Sequence, residues 1–425
     1  MELQLPKGTK DFPPEEKIVR DKIVSTLKNV FELYGYSPLE TPVIERYDVL
    51  SSKYAGGAEI LKETFKFKDQ GERELALRYD LTVPLARFVG MNPNLKMPFK
   101  RYQIGEVFRD GPIASARYRQ FTQCDVDIAG CSDMIADAEI ISLTNACFRK
   151  LELDIAIKIN NRKLLNDILK YFGINEEKFE PVILSLDKLE KFGADAVKNE
   201  LKQKVIDEKT TARLLDLIDV KGSNEEKIRQ LENAIRKSDG LDEIKQLLSY
   251  LDIMGIKAEF DVSLARGLSY YTGTVMEVVL NDSKVKSSAA GGGRYDKMIG
   301  SFLGKGEMPA VGISFGLDRI YDALMERKVA IEKTTAKVYV IPIQTLGEGL
   351  GIAKKLRDNG INTDIDLMGK GPSKNLSYAN SLGIPFVIFA GRDELDKKKV
   401  KLRDMKTGKE EMLSVEEVIS KLKTR

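Results

Sequence analysis

"EVFRDGPIASARYRQFTQCDVDIAG", residues 106–130, decides the fold. Two strand-like runs flank a Gly-Pro turn, and three arginines, Arg109, Arg117 and Arg119, stand around it. Two strands and a loop of this kind can present several guanidiniums to a polyanion. Gln123 and Asp127 are four apart and so share one strand face. By itself the stretch also fits an ordinary charged hairpin. Upstream, "TFKFKD", "LALRYDLT" and "KRYQIGEVFRD" continue the alternation of short strands and turns from about 65 to 130, which predicts antiparallel sheet.

Outward from that sheet the texture changes. Val19, Ile23, Leu27, Val30, Phe31 and Tyr34 predict an amphipathic helix over 15–34, preceded by Pro13 and Pro14 and closed at Gly35. "YGYSPLETPVIE" follows as an extended segment, which Pro38 and Pro42 make an edge or interface strand. Beyond about 165 come successive charged helical stretches with almost no strand signal, and sheet character returns near 256, as expected of an inserted helical subdomain. After the charged stretch "MERKVAIEKTTAK", the runs "VYVIPI", "INTDIDL" and "IPFVIFAG" alternate with helical segments in a βαβαβ pattern. A hairpin turning at Thr407-Gly408 and a closing helix complete an independent α/β domain.

A chain of 425 residues exceeds one ordinary hydrophobic core. No apolar run approaches the roughly 20 residues that span a bilayer, and the N-terminus lacks the layout of a secretory signal, so the expected compartment is the cytoplasm. Cys124, Cys131 and Cys147 are too unevenly spaced for a disulfide framework or a structural zinc site, and are expected to be reduced packing residues. A net charge of +3 permits nucleic-acid binding without arguing for it. The chain contains no histidine, which excludes imidazole general bases, His-based triads and every His-ligated metal site.

Four more stretches carry candidate chemistry. In "RYDLTVP", Asp80 and Thr82 share a face if the run is extended and can hold an ammonium together; by itself the stretch reads rather as an exposed turn. "AAGGGRYD" alone reads as a tight turn or bulge. In "AVGISFGLDRI" a strand runs through Gly312 and Gly316 into a helix whose first turn carries Arg319, near N–H groups that favour phosphate; a glycine-eased packing junction is the plain alternative. "LARGLSYYTGTVMEV", residues 264–278, puts Arg266, Tyr270 and Tyr271 at the mouth of an apolar strand, where an unpaired guanidinium would be costly. Arg266 and Tyr271 can serve one pocket only if the chain is irregular between them, and Gly267 is the residue expected to allow it.

Taken in order, these stretches resemble the class II aminoacyl-tRNA synthetases, and "RGLSYYTGTV" and "GGGRYD" resemble their histidyl branch. The resemblance covers nearly the whole chain. It implies an α+β protein: a class II antiparallel-sheet catalytic domain over 1–328, interrupted by a helical insertion at about 165–252, and an α/β anticodon-binding domain over 335–425. Residues 106–130 match motif 2, "PAVGISFGLDRI" motif 3, and the first helix with its proline-ended strand motif 1, the family's homodimer interface. The substrates implied are L-histidine, ATP with Mg2+, and tRNA(His). By position, Asp80, Thr82 and Gln123 would hold the α-ammonium, with Leu81 between the first two. Asp127 and Tyr271 would read the imidazole beside Tyr270. Arg109 would meet the α-phosphate, Arg117 the polyphosphate, and Arg319 with Gly316 the γ-phosphate side. Arg266 would sit where carboxylate and α-phosphate join. No protein residue is assigned to metal. Two positions depart from the family pattern: Asp110 stands where motif 2 commonly has glutamate, and Ser269 where aspartate is usual. The rival reading is the non-catalytic regulatory subunit of ATP phosphoribosyltransferase, which shares the fold but typically lacks the C-terminal domain. A third is an RNA-binding or amino-acid-sensing module without phosphate-binding arginines.

Overall fold

The computed structural model describes residues 2–51, 61–113, 118–204, 206–235, 237–266, 270–285, 287–304, 306–327 and 331–423. The chain divides into two compact units, Met1–Lys10 with Ile23–Val329, and Asp11–Lys22 with Ala330–Arg425.

Strands in chain order are β1 (Ser37–Pro38), β2 (Ile44–Arg46), β3 (Lys66–Lys68), β4 (Glu74–Leu77), β5 (Phe99–Phe108), β6 (Gln120–Ala129), β7 (Ile155–Asn161), β8 (Glu259–Phe260), β9 (Thr274–Leu280), β10 (Ala290–Arg294) and β11 (Ala310–Gly316). Eight of them form the main sheet of the first unit in the order β1-β5-β6-β11-β10-β9-β7-β8; β2, β4 and β3 form a separate small sheet. The six inner strands pair antiparallel, and the two-residue strands β1 and β8 pair parallel at the edges. The proline-bounded run after the first helix thus stands at the sheet edge, where a missing N–H is tolerated.

Period-2 alternation gives this sheet two different faces. Tyr102, Cys124, Val126, Ile128, Val311, Ile313 and Phe315 point one way and are buried. The second half of the helix Pro14–Leu33 and the helix Ile135–Lys150 cover them, with Phe31 and Phe148 at 5.6 and 5.8 Å from the Phe315 ring. The other face carries Arg101, Gln103, Gln123, Asp125, Asp127 and Ser314, interrupted by Gly291, Gly293, Gly312 and Gly316. "AAGGGRYD" is therefore no turn: Ala290–Arg294 is a regular strand paired on both sides. Likewise Asp80 and Thr82 are not on a strand, because Thr82 opens the helix Thr82–Met91. Between β7 and β8 lie the inserted helices, from Arg162–Tyr171 to Asp239–Ile253.

In the second unit, β12 (Val338–Ile343), β13 (Thr363–Ile365) and β14 (Phe386–Gly391) are parallel and joined by the helices Leu346–Asp358 and Pro372–Ser381. The hairpin β15 (Val400–Asp404) and β16 (Glu410–Leu413) extends the sheet antiparallel, and Gly408 turns it at φ 74°. The order is β13-β12-β14-β15-β16. The three cysteines are free, Cys124 and Cys147 fully buried.

One buried ion pair ties the apolar face together. Arg294, 2% exposed, points to the helix side and pairs with Asp137, which is fully buried; it also donates to the carbonyls of Cys131 and Asp133 at 3.0 and 3.3 Å. Removing one partner strands a buried charge, so Asp137→Ala is expected to cost about 3–5 kcal/mol in urea unfolding. A loss under about 1 kcal/mol would mean that the pair does not hold this face.

Candidate active site

The polar sheet face floors a cavity of about 320 Å³. Its contents follow from register. Arg101, Asp127, Gly312 and Gly293 lie level across four strands; Gln103, Asp125, Ser314, Gly291 and Glu277 form the next level, and Gly105, Gln123 and Gly316 the third. Charge changes sign along this direction. Asp127 lies at the first level, where Arg101 Nη2 meets its Oδ2 at 2.7 Å and the Tyr295 hydroxyl donates to Oδ1. Burial pushes the Asp127 carboxyl up against the pull of both partners. Beyond the third level stand Arg319, in the first turn of the helix Leu317–Glu326, and Arg109, just past the end of β5.

Each arginine is aimed by specific contacts. Arg109 lies 4.2 Å from the Tyr79 ring and 5.0 Å from that of Phe121, and its Nε donates to the Tyr79 carbonyl. Arg319 Nη1 donates to Ser288 O at 2.6 Å. Burial, then the fields of Arg266 and Arg109, push the Arg319 guanidinium below its usual range, so three cations converge on one cavity. Arg266 adopts φ 46°, a left-handed backbone rare outside glycine. Asn160 on β7 donates to the carbonyls of Val262 and Leu264, both at 2.9 Å, anchoring the segment just before Arg266. The Arg266 side chain then lies across β10, its Nη1 donating to Met276 O at 3.2 Å and standing 3.9 Å from Glu277.

The irregularity that lets Arg266 and Tyr271 share a site is thus present at Arg266 itself, and β9 begins only at Thr274. Gly267 and Ser269 lie outside the described residues, as does Arg117. Asp80, Thr82, Arg109, Gln123, Asp127, Arg266, Tyr270, Tyr271, Gly316 and Arg319 all line the cavity. Leu81 does not: it is fully buried, and its carbonyl accepts from Arg101 at 3.2 Å. Asp110 turns outward to Arg119 at 3.0 Å, so neither belongs to the lining. Asp80 has a second task, its Oδ1 accepting the N–H groups of Thr82 and Val83 as a helix cap.

Sequence reasoning missed Asp125, Phe121 and Tyr295, which also line the cavity. Asp125 was legible, since it shares the face of Gln123 and Asp127 by period 2. Tyr295 was not, because its partner Asp127 comes from a distant strand. Among the described residues no three Cys, Asp or Glu side chains stand together as a metal site.

The family model described as histidyl-tRNA synthetase matches residues 8–320, and that of the anticodon binding domain matches 337–425. The chain belongs to the histidyl-tRNA synthetase family. It is 46% identical over 417 residues to histidine–tRNA ligase 1 of Bacillus cereus, covering 96% of this chain and 95% of the relative. It is 37% identical to the histidine–tRNA ligase of Clostridium tetani, with 98% and 97% covered. The crystal structure of the Nostoc sp. PCC 7120 histidyl-tRNA synthetase superimposes with a TM-score of 0.88 at 30% identity, over the whole of both chains. A histidyl-tRNA synthetase is a class II, ATP-dependent ligase, and a cavity with carboxylates at one level and converging guanidiniums at another suits an amino acid meeting a nucleotide.

The glycines are part of that fit. A Cβ on Gly291 would stand 1.8 Å from Arg266 Nη1, the far end of a flexible side chain. Gly291→Ala is therefore expected to leave the melting temperature close to wild type while displacing the guanidinium. Amino-acid-dependent ATP–pyrophosphate exchange should fall about 10²-fold. Full activity would show that the position of Arg266 is unimportant.

Proposed function

We propose that this chain activates L-histidine with ATP in the cavity described and transfers it to the 3′ end of tRNA(His). The observation that carries the reading is the seat of Arg266 over Gly291, between the Asp127 level and the Arg319 level. A histidine whose imidazole lies at Asp127 and Tyr271, and whose ammonium lies at Asp80, Thr82 and Gln123, brings its carboxylate to Arg266. ATP phosphates held by Arg109 and Arg319, with Arg117 on the loop and Gly316 leaving room, bring the α-phosphorus to the same guanidinium.

One carboxylate oxygen then attacks the α-phosphorus, the bond to the bridging oxygen of the β-phosphate breaks, and pyrophosphate leaves. A carboxylate is already ionised at neutral pH, so the step needs no general base and the absence of histidine is no handicap. It needs alignment of two anions and neutralisation of developing charge, which the three guanidiniums supply. Magnesium enters with ATP as the counter-ion of its phosphates. In transfer, a terminal tRNA hydroxyl attacks the adenylate carbonyl, AMP leaves, and a phosphate oxygen of the adenylate takes the proton.

Specificity follows from donor and acceptor count. Neutral imidazole offers one N–H and one acceptor nitrogen. Asp127 takes the first, with lone pairs to spare beside Arg101 and Tyr295, and the Tyr271 hydroxyl donates to the second. A side chain without those nitrogens leaves buried polar groups unpaired and is strongly rejected.

Supporting the ligase over the regulatory reading are the anticodon-binding match at 337–425 and the intact Arg109, Arg266 and Arg319 set. The catalytic domain is read as 1–328 with its insertion at about 165–252, and the anticodon-binding domain as 335–425. A homodimer through the first helix and β1, and a cytoplasmic location, complete the proposal; no helix among the described residues is long and apolar enough to cross a membrane.

Exchange measured with each of the twenty amino acids should depend on histidine alone. Exchange with none favours the regulatory subunit, and exchange with another amino acid overturns the specificity assignment. Arg266→Ala should lower the activation rate by about 10²-fold or more with little change in histidine affinity. An equal loss in binding and no loss in rate would remove Arg266 from the reaction.

A further inference from the structure

We propose that Asp125 is a further acceptor for the substrate's α-ammonium, standing beside Gln123 and Asp80; this rests on reading the cavity as the histidine site. The ammonium carries three N–H donors, and in that reading Asp80, Thr82 and Gln123 stand around it. Asp80 Oδ1 already accepts two backbone N–H groups of the helix that it caps. Gln123 and Asp125 both line the cavity, and Gln123 Oε1 and Asp125 Oδ1 are buried acceptors with no hydrogen-bond partner from the protein. They lie two residues apart on one strand face, about 7 Å along β6, close enough to flank a single cation.

Their orientation is fixed. Ser314 Oγ stands between them, accepting from Gln123 Nε2 at 2.9 Å and bonding the Asp125 carboxylate. That contact turns the amide oxygen of Gln123 away from Ser314, and Asp125 Oδ1 is left without a partner from the protein. A buried acceptor left empty is costly, and a buried carboxylate more so; both costs are recovered when a cation arrives.

Charge points the same way. Around Asp125 stand Arg101 and Gln103 from β5, Asp127 from its own strand, Ser314 from β11, Asp80 from the helix start, and the hydroxyls of Tyr271 and Tyr295. Of the cations within reach, Arg101 sits on Asp127, Arg78 also feels the field of Asp125, and Arg109 acts on Asp80. Burial pushes the Asp125 carboxyl up to about 7, Arg101 opposing and Asp127 and Asp80 adding to the rise.

Below about 7 the empty site holds Asp125 protonated, and ammonium binding favours the ionised form, so a proton leaves as histidine enters. Histidine affinity then weakens as pH falls through that value, by more than the titration of histidine itself accounts for.

The test uses the full chain with Asp125→Asn, which keeps the shape and the Ser314 contact. L-Histidine and 4-methylimidazole, which lacks the ammonium, are titrated by calorimetry between about pH 6 and 8. The variant should bind histidine about tenfold or more weakly, bind 4-methylimidazole as wild type does, and lose the extra pH dependence of wild type. Equal weakening toward both ligands, or none toward either, overturns the role. Asp127→Asn separates this failure from failure of the site reading: if it also leaves histidine binding intact, the cavity is not the histidine site. Should Asp125→Asn fail to fold, Asp125→Ser supplies the same comparison.

Discussion

A Cβ at position 312 would stand 1.9 Å from the Asp127 carboxylate, and one at 291 would stand 1.8 Å from the Arg266 guanidinium. Strand pairing places these glycines opposite the charged side chains: Gly312 is level with Asp127, and Gly291 with Ser314 and Asp125. Charged groups can lie flat on a sheet only where the neighbouring strand offers bare backbone. The cavity exists because β10 and β11 withhold their side chains from it at alternate positions. A one-residue slip of β11 would put Val311, Ile313 and Phe315 there instead, and one of β10 would put Ala290 and Arg294 there.

That constraint also explains how a reaction between two anions is housed. The sheet levels sort charge by position, with Asp127 at one level and Gly316 leading into Arg319 at another, roughly 13 Å along the strands. An amino acid laid along β6 with its side chain at Asp127 directs its carboxylate toward the cations. The same face could not be shared with an apolar core, and the fold keeps them apart by alternation: Phe31, Phe148 and Phe315 pack on the reverse side. The Arg294–Asp137 pair belongs to that reverse side, so Arg294 of the glycine-rich strand serves stability while Gly291 and Gly293, alternating with it, leave room for the site.

Much of this was legible in the sequence. Helical spacing marked the first helix to within a residue at each end, and proline content put β1 at the edge. Period 2 placed Gln123 and Asp127 on one face. What failed did so for physical reasons. A triple glycine has a turn's composition, and only its two neighbours, β9 and β11, make it a strand. Asp80 and Thr82 are brought together by a helix start rather than by strand alternation, because the Asp80 carboxylate caps the helix. The left-handed backbone before Tyr271 falls on Arg266, and arginine is a residue type that gives no warning of φ 46°. Long-range pairs such as Asp127 with Tyr295 leave no local signal at all.

The measurement that bears most directly on the site is a crystal structure of the protein with L-histidine and a non-hydrolysable ATP analogue. The imidazole should lie between Asp127 and Tyr271, with the carboxylate and the α-phosphate both within hydrogen-bond distance of Arg266. Density placing the amino acid elsewhere, or the carboxylate turned away from Arg266, would contradict the alignment of substrates on which the proposed chemistry rests.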